Sequence, residues 1–579
     1  MRCFFRYRPC WLLYLIVTID AFSAGFSTAT TSATTAETGA TCGSSALLSK
    51  APSVLDLASL TSKPVVYTIA GSDSGGGAGI QADLQAISRL GGHGCSAITC
   101  LTAQNSVGVS GVHAAGDFLQ AQLDALMQDL PPMAVKIGML GTKQLTDQVG
   151  AFVQSLRQQP RHVWVVLDPV MISTSGHRLI QEDAQQAMVQ KLFPYVDLIT
   201  PNKYEAEALL GRPLDSTADV EQGARDLLAM GARAVLIKGG HTQENSTFAQ
   251  DYFVSTDPLP EEPRNCDGGV WLRSVRLDTE HTHGTGCSLS SALATALALQ
   301  STGWPTVTNL VDATTLAKAY VTAGIAAGVG LGQGAGPVAH TLFPQSDQHF
   351  PRIVSNPNDD TPVTFPTVSL SKGLGKLLIL VDSLEWVQKL VDVQGVTDIQ
   401  LRIKGQTDFD AIVEVVKKAN EQCQRAGIRL WINDYWQAAI KAGVFGVHMG
   451  QEDLYRCQRQ GGLEELRKAG VALGLSTHSY GELAAALAVN PSYISLGPIY
   501  GTSSKQVNFG PQGLAMVQQW RRLIPSYVPL VVIGGISDAS RAADVCEAGA
   551  DCVAVIGAVT QASDPQEAVE ELLAAVASA

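Results

Sequence analysis

The chain has 579 residues, room for about three or four ordinary domains or two large ones. Apolar residues make up 46% and charged residues 16%, a balance that excludes an intrinsically disordered chain. With 40 basic against 53 acidic residues the net charge is −13, which argues against a general electrostatic affinity for nucleic acid while leaving room for a local basic site.

At the N-terminus Arg2, Arg6 and Arg8 precede the apolar run Trp11 to Ile19. That run is far shorter than the roughly 20 residues a bilayer span needs, so it reads as a secretory-type signal and no stable membrane span is expected in the mature form. Ala21 to Ser45 is rich in Ser, Thr and Ala, with Glu37 its only acid, and resembles a transit peptide. A signal followed by a transit segment is similar to the two-part leaders of algae with complex plastids. Residues 1–62 are therefore expected to be a targeting leader outside the fold. Its address is read as the plastid, with the mitochondrion and the secretory pathway as alternatives. Of 11 cysteines, Cys3, Cys10 and Cys42 fall in this leader, and the others show no CxxC pair. No disulfide framework and no zinc site is read, and a reducing compartment fits.

From Lys63 the chain alternates strand-like apolar runs with helical stretches. VVYTIA (65–70), AVKIGML (134–140), VWVVLD (163–168), LIT (198–200) and AVLIKGG (234–240) argue for βαβ units around a mainly parallel sheet. The pattern fades after Phe343. The segment 346–373, rich in Pro, Asn and Asp, is expected to link a first unit at 63–345 to a second at 374–579.

In the first unit, Gly71 to Asp83 (GSDSGGGAGIQAD) follows a strand and opens a helix, so its backbone can approach a ligand closely. It matches neither a P-loop nor a Rossmann fingerprint, and a tight βα turn is the alternative. His283 to Cys287 (HGTGC) precedes an apolar helical run. Amides of Gly284, Thr285 and Gly286 would face an anion at a helix N-terminus. In that field the Cys287 thiol is expected to have a lowered pKa, and to act as a base or to help hold a transferring phosphoryl group. A small buried Cys at a helix start is the alternative. Asp168 ends a strand and Glu205 closely follows another, so the two could organise Mg²⁺ directly or through water. A strand-ending turn and a helix N-terminal acid are the structural alternatives. Lys238, in LIKGG, could neutralise phosphate or be a surface lysine.

The stretches AGSDSGGGAGIQADLQAISRLGGHGCSAITCLTAQN, VKIGML, LDPVMISTSGHRL, ITPNKYEAE, LIKGGH and HGTGCSLSSA closely resemble the hydroxymethylpyrimidine kinase/phosphomethylpyrimidine kinase family of the ribokinase-like superfamily. The resemblance implies a ribokinase-like α/β/α sandwich and two successive ATP-dependent phosphorylations, of an alcohol and then of its monophosphate. It implies that Gln104 holds the aminopyrimidine, with Gly71 and Asp83 also taken as substrate contacts. Cys287 would replace the catalytic Asp of most ribokinase relatives. Asp168 and Glu205 would serve Mg²⁺ and nucleotide, and Lys238 would neutralise phosphate. Pyridoxal kinase is the runner-up in the same superfamily, and pyridoxal a candidate side substrate.

In the second unit eight strand-like runs follow in order: LLILVD (377–382), DIQLR (398–402), RLWIN (429–433), GVHMG (446–450), VALGLST (471–477), YISLG (493–497), PLVVIGG (529–535) and CVAVIG (552–557). Their count and spacing suit a compact (β/α)8 TIM barrel, with an open doubly wound sheet as the alternative. Barrels carry their sites at strand C-ends. There the sequence places Gln400, Arg402 and Lys404, then Asn433 and Asp434, Asp453, Ser476, Lys505, Gly535, and Ile556 with Gly557. Three cations and two carboxylates suit a diphosphate with Mg²⁺, and the backbone after the last two strands suits a second phosphate. Surface charge is the alternative for each Lys or Arg taken singly.

QLRIK, INDYWQAAIKAGVFGVHMGQEDL, LGLSTHS, YISLGPIYGTSSK, VVIGGI and AVIGAVTQA resemble thiamine-phosphate synthase. The resemblance implies a pyrimidine diphosphate bound through Gln400, Leu401, Arg402, Ile403 and Lys404, with Asn433, Ser476 and Lys505. It implies Mg²⁺ on Asp434 and Asp453, and thiazole phosphate on Thr502, Ser503, Ser504, Gly535 and the backbone at Ile556 and Gly557. Arg402, Lys404 and Lys505 would assist the departure of pyrophosphate. Ser504 stands where Thr is usual in that family and Gly557 where Ser is common. Joined in one chain, the two resemblances imply that the first unit makes the diphosphate and the second consumes it. The expected small-molecule partners are hydroxymethylpyrimidine, ATP and hydroxyethylthiazole phosphate, with Mg²⁺ as cofactor, no nucleic acid, and a homo-oligomeric state.

Overall fold

Strands that are apolar at every position, rather than at alternate ones, build the centre of the first unit. The computed structural model describes residues 63–171, 180–240, 247–256, 268–302, 307–358, 364–368, 374–502 and 510–579. The leader expected at 1–62 lies outside the described residues, as do Ser503, Ser504 and Lys505.

Ten strands form one sheet: β1 (Val65–Asp73), β2 (His93–Gln104), β3 (Val109–Ala114), β4 (Ala134–Ile137), β5 (Trp164–Leu167), β6 (Leu198–Ile199), β7 (Ala234–Ile237), β8 (Phe248–Ser255), β9 (Val270–Val275) and β10 (Arg352–Val354). Their spatial order is β10-β9-β8-β7-β6-β5-β4-β1-β2-β3. The centre, from β2 through β1 and β4 to β7, is parallel. The flanks, β3 on one side and β8 to β10 on the other, are antiparallel. Val66 and Tyr67, Ala134 and Val135, Leu198 and Ile199, and Ala234 and Val235 send successive side chains into cores on opposite faces. Helices cover both faces, which is why the strands need no polar alternation. The helix Lys143–Leu156 lies over one face, and the helices Thr285–Gln300 and Leu310–Ala326 over the other. This is the α/β/α sandwich expected of the first unit.

The segment expected to be a linker is only partly one. Arg352–Val354 pairs with β9 as the outermost strand, and Phe350, Phe365 and Val368 are buried. Three apolar-rich strand residues between prolines are too short a signal to read from sequence, and pairing to an existing edge supplies the order.

The second unit is a closed barrel of β11 (Leu377–Val381), β12 (Asp398–Leu401), β13 (Arg429–Asn433), β14 (Gly446–Met449), β15 (Ala472–Thr477), β16 (Tyr493–Leu496), β17 (Leu530–Ile533) and β18 (Cys552–Val555). All eight expected runs are strands. Closure comes from β11 pairing with β18, Leu377 opposite Val553 and Ile379 opposite Val555, which excludes the open sheet. One apolar core runs from the helix Leu310–Ala326 through Phe343 and Phe350 to Tyr480 and Trp520 of the barrel. Among the described residues no helix is long and apolar enough to cross a membrane.

Charge at the N-terminal end of the barrel is structural. Fully buried Asp398 accepts from Arg429 Nε at 2.8 Å and Nη2 at 2.6 Å, from Trp431 Nε1 at 3.1 Å and from the Gly375 amide at 2.8 Å. Removing one partner of a buried ion pair leaves the other uncompensated. Asp398→Ala should lower unfolding free energy by about 3–5 kcal/mol in denaturant titration, while the protein that remains folded keeps the chemistry of its C-terminal face.

Candidate active sites

The first site gathers at the C-ends of β1, β5 and β7 and at the start of the helix Thr285–Gln300. Asp73, at the end of β1, accepts from the amides of Gly75 at 2.8 Å and Ala78 at 2.9 Å. Its Oδ2 also meets His283 Nε2 at 3.0 Å. Burial opposes the charge on Asp73, but His283 and the two amides outweigh it and hold the carboxyl below its ordinary value. This pair ties the Gly71 turn to the HGTGC turn. Contact is so close at Gly284 (φ +81°) that a Cβ there would stand 1.9 Å from the Gly77 carbonyl oxygen, so this position accepts only glycine. Gln104, at the end of β2, is half-buried and held to the same turn: Ser74 Oγ donates to its carbonyl at 2.6 Å. Gly71 is buried beside Met139.

Asp168 and Lys238 meet at 2.7 Å, and Thr200 Oγ1 donates to Asp168 at 3.2 Å. Gly286 adjoins both, since a Cβ there would lie 3.2 Å from Lys238 Nζ and 3.3 Å from Asp168 Oδ2. Glu205 is the capping-box acid of the helix Lys203–Leu210, exchanging bonds of 2.8 and 2.9 Å with Asn202. Burial pushes its carboxyl up to about 7 and the Asp168 charge adds to this, against the pull of Lys238. Glu205 therefore fills the helix-acid role and also shares the field of Asp168 and Lys238. Lys238 already balances Asp168, so a Mg²⁺ ion here would be held through water or phosphate oxygens.

Two expectations change. Asp83 does not face a ligand. It is fully buried, paired with equally buried Lys136 at 2.7 Å, and also accepts from Thr68 Oγ1 and Ser291 Oγ. Helical periodicity from Gly79 turns it inward. The Cys287 thiol is raised, not lowered. Half-buried, it sits where two helix N-termini converge, accepting from the Gly79 amide, yet desolvation by the surrounding protein pushes it up to about 11. Lys136 and that amide pull it down, but Asp83 and Asp168 reinforce the rise. Lys136, a charge inside the apolar run AVKIGML, was the signal for this pair.

The second site lies at the C-ends of the barrel strands. Asp434, left-handed at φ +69°, follows β13 and shares a hydrogen bond with Asp453. Burial and the neighbouring Asp453 push Asp434 up to about 7, while Arg402 and Asn433 draw it down. Gln400, buried, donates from Nε2 to Asn433 Oδ1 at 2.9 Å. Ser476 Oγ meets His448 Nε2 at 2.8 Å, and His448 Nδ1 meets Tyr493 Oη at 2.8 Å. Gln451 Nε2 donates to the Ser476 carbonyl at 2.6 Å. Lys404 is exposed and Thr502 half-buried at the rim. Gly535 (φ +68°) backs onto Gly501, where a Cβ would stand 2.6 Å from its carbonyl oxygen. Gly557 opens the short helix Gly557–Thr560 with Ile556 before it.

Leu401 and Ile403 do not join this set by their side chains. Leu401 is fully buried in the outer core and Ile403 packs against that core, because alternation along β12 turns Gln400 inward and its neighbours outward. His448, a lone polar residue inside the strand run GVHMG, joins Ser476 to Tyr493, a contact that the strand pattern alone does not reveal. Among the described residues no group of three or more His, Cys, Asp or Glu is placed to hold a metal. Two crowded carboxylates do suit Mg²⁺, which keeps water and takes phosphate oxygens as its other ligands.

The phosphomethylpyrimidine kinase family model matches residues 73–339, and the thiamine monophosphate synthase model residues 377–559. A probable thiamine biosynthetic bifunctional enzyme, chloroplastic, of Oryza sativa subsp. japonica is 32% identical over 520 residues, 88% of this chain and 87% of its own. A chloroplastic thiamine biosynthetic bifunctional enzyme of Arabidopsis thaliana is 33% identical over 529 residues, 88% of this chain and 92% of its own. A hydroxymethylpyrimidine/phosphomethylpyrimidine kinase of Haemophilus influenzae is 43% identical over 280 residues, 48% of this chain and 97% of its own.

The raised thiol has a direct readout. A group titrating near 11 is protonated at neutral pH and becomes thiolate only as pH climbs toward that value. Iodoacetamide labelling of Cys287, followed by peptide mass spectrometry, should keep rising between about pH 7 and about pH 10. A plateau reached near neutrality would contradict the burial account.

Proposed function

The chain belongs to the family of bifunctional thiamine biosynthetic enzymes, and from that membership we propose how its residues share the work. The first half is a hydroxymethylpyrimidine/phosphomethylpyrimidine kinase and the second a thiamine-phosphate synthase. The kinase transfers a phosphoryl group to the hydroxymethyl oxygen and a second to the resulting phosphate. The synthase joins the diphosphate to hydroxyethylthiazole phosphate. A C–O bond to the diphosphate breaks, a C–N bond to the thiazole ring forms, and pyrophosphate departs. In our reading the kinase domain spans 63–345 together with the edge strand at Arg352–Val354, and the barrel 374–579.

The observation that carries the residue assignment is the convergence of Lys238, Asp168, Gly286 and Cys287 on one corner, at the N-terminus of an uncapped helix. In this assignment ATP is the phosphoryl donor. Gln104 reads the pyrimidine, Lys238 neutralises the travelling phosphoryl group, and the Gly284–Gly286 backbone receives it at the helix start. Cys287 enters protonated, so it serves as an S–H donor to the anion rather than as a standing base. In the barrel, Gln400, Arg402, Asn433 and Ser476 would hold the pyrimidine diphosphate, together with Lys404 and Lys505. Asp434 and Asp453 would hold one Mg²⁺, and Asp168 with Glu205 another. When bound, the ion neutralises phosphate oxygens and improves diphosphate as a leaving group. Thr502, Ser503, Ser504, Gly535, Ile556 and Gly557 would receive thiazole phosphate. The chloroplastic names of the two plant relatives and the form of the leader support the plastid as the compartment.

Purified protein given hydroxymethylpyrimidine, ATP, Mg²⁺ and thiazole phosphate should produce thiamine phosphate; a folded sample that makes none would refute the reading. Cys287→Ala should slow diphosphate formation by about 10²–10³, the usual scale for losing one anion-stabilising group. Asp453→Ala should instead let the diphosphate accumulate, with the coupling step slowed on the same scale of about 10²–10³.

A further inference from the structure

A carboxylate buried between the two halves ties one enzyme to the site of the other. The helix Leu310–Ala326 belongs to the kinase half and begins at Asn309, whose Oδ1 accepts from the Asp312 amide at 2.9 Å. Asp312 has no solvent exposure. Its Oδ2 accepts from Thr308 N at 2.8 Å and Oγ1 at 2.7 Å, which completes the cap of its own helix. Its Oδ1 accepts from the Gly481 amide of the barrel at 2.8 Å, and the Ser479 hydroxyl bonds the same carboxylate. Ser479 is the N-cap of the barrel helix Tyr480–Val489 and Gly481 lies in its first turn. One carboxylate thus serves two helix N-termini, one from each enzyme.

The barrel segment it grips starts from the synthase site. Ser476 and Thr477 end β15, and Ser479 follows Ser476 by three residues, a span of at most roughly 11 Å of chain. Thr477 Oγ1 accepts from Trp520 Nε1 at 2.8 Å and donates to the Ser495 carbonyl at 2.9 Å. Trp520 packs against Tyr480 at 5.4 Å between ring centres, and Tyr480 meets Phe343 at 5.8 Å and Phe350 at 6.2 Å. Beside them Gln519 Nε2 donates to the Pro344 carbonyl at 2.7 Å. Apolar packing alone would hold the two surfaces together. A carboxylate with all four of its donors in place adds direction, because its bonds form in one arrangement of the Ser476–Gly481 segment.

We propose that Asp312 is a positioning residue for the synthase: from the kinase half it orders the segment after β15 and so sets how tightly the barrel holds the pyrimidine diphosphate at Ser476. This rests on the assignment of Ser476 to that substrate. The effect falls on the synthase alone. The same kinase helix has a second anchor, Lys318 to Asp251 at 2.7 Å, and Asp251 in turn accepts from the Gly239 amide next to Lys238 at 2.9 Å. That anchor keeps the kinase corner in place when Asp312 is lost.

The test uses the full chain and assays the halves separately on one preparation, the kinase with hydroxymethylpyrimidine and ATP, the synthase with supplied pyrimidine diphosphate and thiazole phosphate. Asp312→Ala should raise the synthase KM for the diphosphate by roughly five- to tenfold with kcat within about twofold, and leave the kinase rate within about twofold. Asp312→Asn, which keeps an acceptor oxygen, should recover most of that loss. Ser479→Ala, from the barrel side, should raise the same KM, and the double variant should be no worse than the larger single effect. Amide exchange in the peptide covering 472–490 should quicken in Asp312→Ala. The proposal is overturned if KM is unmoved in Asp312→Ala and Ser479→Ala, if kcat falls instead, or if both half-reactions decline in parallel. Should Asp312→Ala not fold, Ser479→Ala decides by the same criteria. A wild-type chain with no synthase reaction would refute the functional reading itself, a result separate from all of these.

Discussion

Parallel strands covered on both faces leave their carboxyl ends as the place where polar groups can meet a ligand, and this constraint arranges both halves of the molecule. In the sandwich it brings Asp168 and Lys238 to the same corner as the helix start at Gly286 and Cys287. In the barrel it brings Asp434, Arg402, Asn433 and Ser476 to one rim. Charge at the opposite ends is of another kind. Asp197 before β6 and Asp398 opening β12 are each engaged by arginine and by backbone or indole donors, and they fasten strands instead of facing substrate.

Each half handles phosphate-bearing substrates while the chain carries a net charge of −13, so affinity for them has to be local. The two sites meet this in different ways. The kinase corner is already balanced, with Lys238 on Asp168, and Lys136 on Asp83 beneath Cys287. At the barrel rim burial, reinforced by the neighbouring Asp453, raises Asp434 to about 7, an arrangement that a divalent cation would relieve. The raised Cys287 thiol belongs to the same logic. In our reading a neutral S–H at the convergence of two helix starts would add a donor for an anion without adding a negative charge.

Fusion has joined these enzymes by more than a tether. Phe343, Phe350 and the Arg352–Val354 strand, all from the stretch between the two family matches, pack into the kinase sheet and against the barrel helix Tyr480–Val489. Asp312 adds a directional contact inside that apolar seam. A single kinase helix, Leu310–Ala326, is bonded toward the barrel at its first turn and toward the Lys238 strand end at Lys318.

Much of this was legible in the residues. Eight apolar runs at regular spacing specified the barrel strands, and the Gly-rich and HGTGC motifs marked the kinase site, because strand burial and tight turns impose local patterns on sequence. Local pattern also misled where neighbours decide. Asp83 lies in the most suggestive motif of the chain yet turns inward to Lys136, and Leu401 lies in QLRIK yet faces the outer core. Likewise a helix start suggested a reactive Cys287, and only its burial beside two acids reversed the shift. The edge strand in the presumed linker, the His448–Ser476 contact and the Asp312 tie had no signal in spacing. Each joins residues far apart in the chain, and such pairings exist only once packing has brought their partners together.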